Sequence, residues 1–248
     1  MSDSTRRIRG IAFDAVGTLI FAQPTVSAVY SEIGSRHGSR QTAEQVKTRF
    51  AAKMAQADTR STEHFGEPGR TNEDYEQEFW RAVVQDVLPD VQDLDACFAE
   101  LFEHFARPDS WRCFPDVAPT LSDLERRGYR VVLASNFDAR LHRVCDGLAE
   151  LRDVRCRVIS SLVGYRKTHR GFYLAVAAAA ECAPSELLMV GDDLVNDVES
   201  ARAAGLAAVH LRREFLVPPS GSDSHSDSEH NLLKAELRTL TDLLEWLP

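Results

Sequence analysis

Four groups of residues, far apart in the chain, have the chemistry to act together. Asp14-Ala15-Val16-Gly17-Thr18 follows an apolar run at residues 8–13, and Ser135-Asn136 follows one at 129–134. Gly191-Asp192-Asp193, with Asp197 beyond, follows a third at 187–190, and Lys167 stands in the segment leading to it. Singly, each has a commonplace explanation: a turn or capping Asp, a turn Ser, a surface Lys, an Asp placed early in a helix. Together they have another. Asp14, Asp192 and Asp193 would repel one another if they converged, and a hard cation is the natural compensator. Magnesium suits such an all-oxygen ligand set. The Ser135 hydroxyl and the Lys167 ammonium would then be donors for a phosphoryl group, whose transfer needs chiefly positioning and charge neutralisation.

For these residues to meet, the apolar runs must be neighbouring strands. The runs at 8–13, 129–134, 187–190 and 207–211 are short and largely β-branched or aliphatic. Stretches of helical period lie beside them, at 117–127, 138–147, 171–182 and 195–204. Strands alternating with helices imply an α/β fold, a Rossmann-like parallel sheet with helices on both faces. A fifth strand is expected at 157–160. In such a sheet, ligands collect outside the carboxyl ends of the strands, where these polar groups fall. Gly17 and Thr18 fit a sharp turn past Asp14, and Gly205 fits a helix stop.

Residues 24–107 have a different character. Helical patterns at 26–37, 43–58, 72–87 and 96–106 occur with no strand among them, so the region reads as an all-helical insert. Pro24 and Pro108 mark its ends. The expected division is a core of residues 1–22 and 108–248 and an insert of residues 23–107. Aromatic residues of the insert (Phe65, Tyr75, Phe79, Trp80, Phe98, Phe102, Phe105) have helical spacing and read as its core before they read as a pocket. Phe21, Gln23 and Pro24 are the expected pocket floor. Residues 218–231 are rich in Ser, Asp, Gly and Pro, which fits a mobile surface loop, and His225 and His230 within it read as solvated. Residues 241–247 fit a last short helix.

Composition narrows the function classes. A formal net charge of -9 leaves no basic stripe for nucleic acid. No apolar run is long enough to span a bilayer, and the N-terminus lacks the apolar stretch of a signal peptide. Five cysteines without CxxC spacing argue against a zinc site or a disulfide framework and for free, mostly buried thiols in a reducing cytoplasm. Oligomeric state is left open.

The segments FDAVGTL, LASN, GYRK and VGDDLVND, in that order, resemble the four motifs of the haloacid dehalogenase-like hydrolases. The helical insert after the first motif resembles the cap of subfamily I, and the DAVGTL form is similar to the rhythmically-expressed-gene-like branch. The resemblance implies that Asp14 attacks phosphorus to form an aspartyl-phosphate. It implies that Ser135 and the backbone amide of Asn136 bind the transferring group and that Lys167 stabilises its charge. Magnesium would be held by Asp14, the carbonyl of Val16, and Asp192 in preference to Asp193, with Asp197 orienting Lys167 or the Ser135 loop. Gly17, Thr18, Phe21, Asn136 and His169 would lie beside the substrate, under a cap that excludes water.

Three departures qualify the resemblance. Val16 occupies the position where the family's phosphatases carry a second Asp, the general acid, whose help is worth about a hundred- to ten-thousand-fold in rate. Haloacid dehalogenases have a tyrosine there and no acidic last motif, so Asp192 and Asp193 argue against that chemistry. Phosphonate hydrolases need a cap lysine, and the insert offers only Lys47 and Lys53, both read as solvated helix charges. Thr168 and His169 follow Lys167 where proline is usual, and His169 is weighed as a substitute acid. The expectation is a magnesium-dependent hydrolase of a small phosphorylated molecule, slow on poor leaving groups. The alternative is a noncatalytic phospholigand- or partner-binding protein that keeps the fold and the metal.

Overall fold

The computed structural model describes residues 8–55, 57–213 and 236–247. Its central strand, Gly10–Phe13 (β1), is buried at every position, as a strand covered on both faces must be. Around it lie Arg130–Ser135 (β4), Arg157–Ile159 (β5), Leu187–Gly191 (β6), Ala207–Leu211 (β7) and Glu236–Leu237 (β8), in the order β5-β4-β1-β6-β7-β8 with every pairing parallel. Alternation along the strands divides the core into two layers. Ile11, Phe13, Leu133 and Val190 face Val117–Arg126 (α6), Arg140–Gly147 (α7) and Leu240–Trp246 (α11). Ala12, Val132 and Met189 face Arg170–Ala180 (α9) and Ser200–Ala203 (α10).

A second sheet was not anticipated. Ile20–Ala22 (β2) and Trp111–Cys113 (β3) pair antiparallel, Ile20 opposite Cys113 and Ala22 opposite Trp111. At three residues each they are too short to show a period, and only their mutual pairing makes them strands. Between them come Val26–Arg36 (α1), Ala43–Met54 (α2), Ala57–Phe65 (α3), Glu73–Val87 (α4) and Leu94–His104 (α5). Side-chain oxygens of Thr25, Thr42, Asn72 and Asp93 accept from the first-turn amides of α1, α2, α4 and α5, which fixes where each begins. These helices share a core of their own that includes Ile33, Phe79, Val83 and Leu101.

Other expectations shift at their edges. The helical pattern at 43–58 is interrupted, with α2 ending at Met54 and α3 starting at Ala57. The pattern at 195–204 is a π-helical turn, Leu194–Glu199, running into α10. A short helix, Ser160–Val163 (α8), follows β5. The segment 218–231, with His225 and His230, lies outside the described residues. The five cysteines are free, with Cys97, Cys145 and Cys182 buried. No helix among the described residues is long and apolar enough to cross a membrane.

Leu133, in the strand beside β1, is buried, whereas Leu174 on α9 is exposed. Leu133→Ala is expected to lower unfolding stability by about 2–5 kcal/mol. Leu174→Ala should change it by less than about 0.5 kcal/mol. Equal urea midpoints for the two variants would refute this layering.

Candidate active site

Strand register brings the polar groups to one edge. Phe13 is level with Leu133 on β4 and with Val190 on β6, so Asp14 and Asp192 directly follow β1 and β6, and Ser135 is the last residue of β4, between β1 and β5. The Asp14 amide donates to the Val190 carbonyl at 3.0 Å, which carries the sheet pattern up to the carboxylate. Lys167 reaches this edge from the loop before α9. Its backbone amide donates to Asn136 Oδ1 at 2.8 Å, so Asn136 anchors the lysine loop as well as following Ser135.

The Lys167 side chain is 2 % exposed, and its ammonium donates to Asp14 Oδ1 and, at 2.6 Å, to Asp197 Oδ1. Burial alone would favour the neutral amine, but Asp14 and Asp197 outweigh it and hold the lysine charged. The Asp14 carboxyl is raised to about 8, chiefly by burial; Lys167 opposes the rise, and Asp197 and Asp192 add to it. Asp192 is raised too, by burial and then by Asp197, although Thr18 Oγ1 donates to its Oδ1 at 3.2 Å. Asp14, Asp192 and Asp197 each offer a carboxylate oxygen within 4.8 Å of the others. Three carboxylates thus face one ammonium. With all three deprotonated, two negative charges are left over, the charge that one divalent ion would balance; burial and the crowding of these like charges are what raise Asp14 and Asp192. A hard divalent cation with oxygen ligands fits this donor set.

Two glycines allow the close approach. A Cβ on Gly17, whose φ is +93°, would lie 2.3 Å from Asp192 Oδ2, and one on Gly191 would lie 2.1 Å from Asp197 Oδ2. Any side chain at either position would displace a carboxylate of the cluster.

The sequence reading missed Arg213. This buried guanidinium donates to the Thr18 carbonyl from Nε at 3.1 Å and Nη2 at 2.6 Å, and to both Asp116 oxygens at 3.0 Å. It also lies 3.7 Å over the Phe114 ring. Asp116 accepts in addition from the Leu240 amide at 2.7 Å. The turn after Asp14 is therefore clamped to α6 and α11 through a single side chain. An Arg and an Asp 97 positions apart share no spacing rule that a sequence could reveal.

Three expected site residues lie elsewhere. The carboxylate of Asp193 caps the π-helical turn, accepting from the amides of Val195 and Asn196 and from the Asn196 side chain, all at 2.9 Å. Asp197 takes its place in the acidic cluster. His169 is the cap residue of α9: its Nδ1 accepts from the Gly171 amide at 2.9 Å and its ring stacks on Tyr165. Its Nε2 also lies 3.4 Å from Glu67 Oε1, so its contacts are with its own loop and with the insert, not with Asp14, Asp192 or Asp197. Phe21 packs on Phe114 at a centroid distance of 4.8 Å, within the core under β2.

A cavity of about 280 Å³ opens from Val16 and Asn136 into the helical insert, between Tyr30, Phe79, Trp80 and Phe102. Val16 is 40 % exposed, an unusual position for an aliphatic residue next to a buried charge cluster. Phe79, Trp80, Phe98, Phe102 and Phe105 belong to the insert's core and also line this space, whereas Phe65 and Tyr75 pack with His64 and do not reach it. Gln23 and Pro24 do not line it either. Lys47 is exposed and Lys53 pairs with Asp86, so neither offers an amine to the cavity. The insert is held on the sheet edge by polar contacts. Buried Glu76 of α4 accepts from Arg166 Nη1 at 2.7 Å, one residue before Lys167, and Glu73 accepts from the Ala139 amide at 3.0 Å.

Comparison with known proteins agrees with this arrangement. Residues 8–205 match the family model described as haloacid dehalogenase-like hydrolase. The human haloacid dehalogenase-like hydrolase domain-containing protein 3 is 25% identical over 245 residues, covering 96% of each chain. A phosphatase of Mycobacterium tuberculosis is 36% identical over 113 residues, which is 44% of this chain and 48% of its own. Among solved structures, an L-2-haloacid dehalogenase superposes with a TM-score of 0.71 at 19% identity, covering 97% of this chain and 99% of its own.

Arg213→Met is expected to destabilise the protein by about 3–5 kcal/mol, because it leaves Asp116 partly buried without its counter-charge. Urea unfolding measures the loss. A change below about 1 kcal/mol would show that the clamp is not structural.

Proposed function

The chain belongs to the haloacid dehalogenase-like hydrolase family, and on that footing we infer that it is a magnesium-dependent phosphohydrolase acting on a small phosphorylated molecule. The observation that carries the reading is the excess of two negative charges where Asp14, Asp192 and Asp197 surround Lys167. The residues suited to hold magnesium are Asp14, Asp192 and the carbonyl of Val16. Thr18 orients Asp192, and Asp197 acts through Lys167. When bound, the ion supplies charge neutralisation for the phosphoryl oxygens and for Asp14.

In this reading an Asp14 oxygen attacks phosphorus, an Asp14–phosphorus bond forms, and the bond to the leaving oxygen breaks with its electron pair on that oxygen. Lys167 balances charge on Asp14, and the Ser135 hydroxyl donates to the transferring group. Water then attacks the phosphorus, releasing inorganic phosphate and regenerating the Asp14 carboxylate. At the position of the missing general acid stands Val16, which has no proton to give. His169 is engaged in capping α9, so the reading supplies no substitute. Leaving groups that depart as stable anions are therefore favoured.

The same reading makes residues 23–107 a cap over the edge of a core formed by residues 1–22 and 108–248. A cytoplasmic setting accords with the five free thiols. The dehalogenase likeness concerns the fold, and the acidic cluster favours phosphoryl transfer over dehalogenation. Val16 favours a second reading, a phospholigand-binding protein without turnover.

Magnesium at millimolar concentration is expected to raise the Tm of the chelator-treated protein by about 2–4 °C or more, and Asp192→Asn should remove the shift. Turnover of acetyl phosphate and nitrophenyl phosphate should require magnesium and fall at least about a thousandfold in Asp14→Asn. Activity that survives this substitution would sink the proposal. Val16→Asp should raise kcat/KM on alkyl phosphates, which are poor leaving groups, by at least about tenfold.

A further inference from the structure

The cavity that begins at Val16 indicates what kind of leaving group the site accepts, on the premise that the site transfers phosphoryl groups as proposed above. Its wall is mostly apolar: Tyr30, Phe79, Trp80, Phe102 and Phe137 face it, and Val84 lines it with them. Four polar side chains also reach it, Glu76, Asn136, Arg140 and Arg166. Their groups are largely engaged with other protein groups. Arg140 donates from Nε and Nη2 to Asp138 at 2.7 and 2.6 Å and from Nη1 to the Phe102 carbonyl at 3.0 Å. Its guanidinium plane lies 3.6 Å over the Phe102 ring. Arg166 and Thr71 both donate to the same Glu76 oxygen at 2.7 Å, and Asn136 Oδ1 holds the Lys167 amide. A hydroxyl-rich body pushed into this space would give up water and find few partners. An apolar one would gain.

A second observation points the same way. Val16, which cannot protonate a departing alkoxide, forms the mouth of the cavity on the side of Asp14, and its exposed surface faces that space. The leaving group must therefore leave as an anion and must also be content among aromatic side chains. We propose that the substrate is an aryl phosphate or an acyl phosphate with an apolar body, whose leaving phenolate or carboxylate departs past Val16 while its ring or hydrocarbon part occupies the insert cavity. The Asp14–phosphorus bond forms as the phosphorus–oxygen bond breaks, the electron pair stays on the leaving oxygen, and no proton is needed at that step. Sugar phosphates fail on both counts, and nucleoside monophosphates, which expel an alkoxide, fail on the first.

The test uses the full chain with magnesium and two readouts. In the first, benzylphosphonate and methylphosphonate, which cannot be hydrolysed by this route, are titrated and followed by tryptophan fluorescence. Trp80 and Trp111, two of the three tryptophans, line the cavity. Benzylphosphonate is expected to bind at least about tenfold more tightly. Equal affinity, or tighter binding of methylphosphonate, overturns the proposal whether or not the protein proves to be an enzyme. In the second, benzoyl phosphate and acetyl phosphate, whose leaving acids are of similar strength, are compared by kcat/KM. The benzoyl compound should be favoured by at least about tenfold. Val84→Phe, which fills the cavity, should bring the ratio to within about threefold of one. Equal turnover of the two by the unmodified chain, magnesium-dependent and lost in Asp14→Asn, would overturn the cavity assignment and leave the phosphohydrolase reading standing. Tight benzylphosphonate binding with no turnover of either compound would sustain the cavity assignment and sink the phosphohydrolase reading.

Discussion

An ammonium buried between two carboxylates, with a third close by, sets the terms for the site. Charges out of water are costly unless each has a partner, and among the described residues Lys167 is the cation paired with Asp14 and Asp197, with Asp192 close to both. The imbalance is directional. Oδ1 of Asp14 is taken by the lysine, and Asp197 is engaged at both oxygens, by Lys167 and by the Asp193 amide. Among the described residues, the side chain that donates to Asp192 is that of Thr18, through its hydroxyl. The electrostatic demand for a cation therefore concentrates between Asp14 and Asp192, beside the Gly17 turn.

Much of the surrounding structure serves to hold that imbalance in place. Gly17 and Gly191 remove the two side chains that would push the carboxylates apart. Arg213 fixes the Thr18 carbonyl and so fixes the hydroxyl that orients Asp192. Asp193, by capping the π-helical turn, sets the position of Asp197 four residues on, and the Asp193 amide returns a bond of 3.1 Å to Asp197 Oδ2. A π-helical turn at such a place is in keeping with their occurrence near functional residues, because the wider turn re-aims a side chain that a regular helix would direct elsewhere.

The insert answers a different physical demand. Its helices are amphipathic toward one another, yet the aromatic residues on their inner face do not fill the space fully, and the remaining cavity meets the sheet edge at Val16. Polar contacts, Glu76 with Arg166 and Glu73 with Ala139, hold the insert at that edge without closing the opening. Charge and apolar surface are thus kept in adjoining compartments.

The sequence by itself determined the parallel α/β core, the helical insert and the convergence of Asp14, Ser135, Lys167 and Asp192, because strand and helix periods are local and motifs at strand ends are contiguous. Asp197 was read as a residue that orients Lys167 or the Ser135 loop, and its carboxylate accepts from the lysine ammonium at 2.6 Å. Only the tertiary structure decided that Asp193 is a cap, that His169 caps its own helix, that half-buried Phe21 packs on Phe114 against the core, and that β2 and β3 pair at all. It also decided the Arg213 clamp and the aromatic cavity. The reason is common to all of these. Each depends on which partner a side chain or a short segment finds across a long stretch of chain, and that choice is made by packing, which no spacing along the sequence encodes.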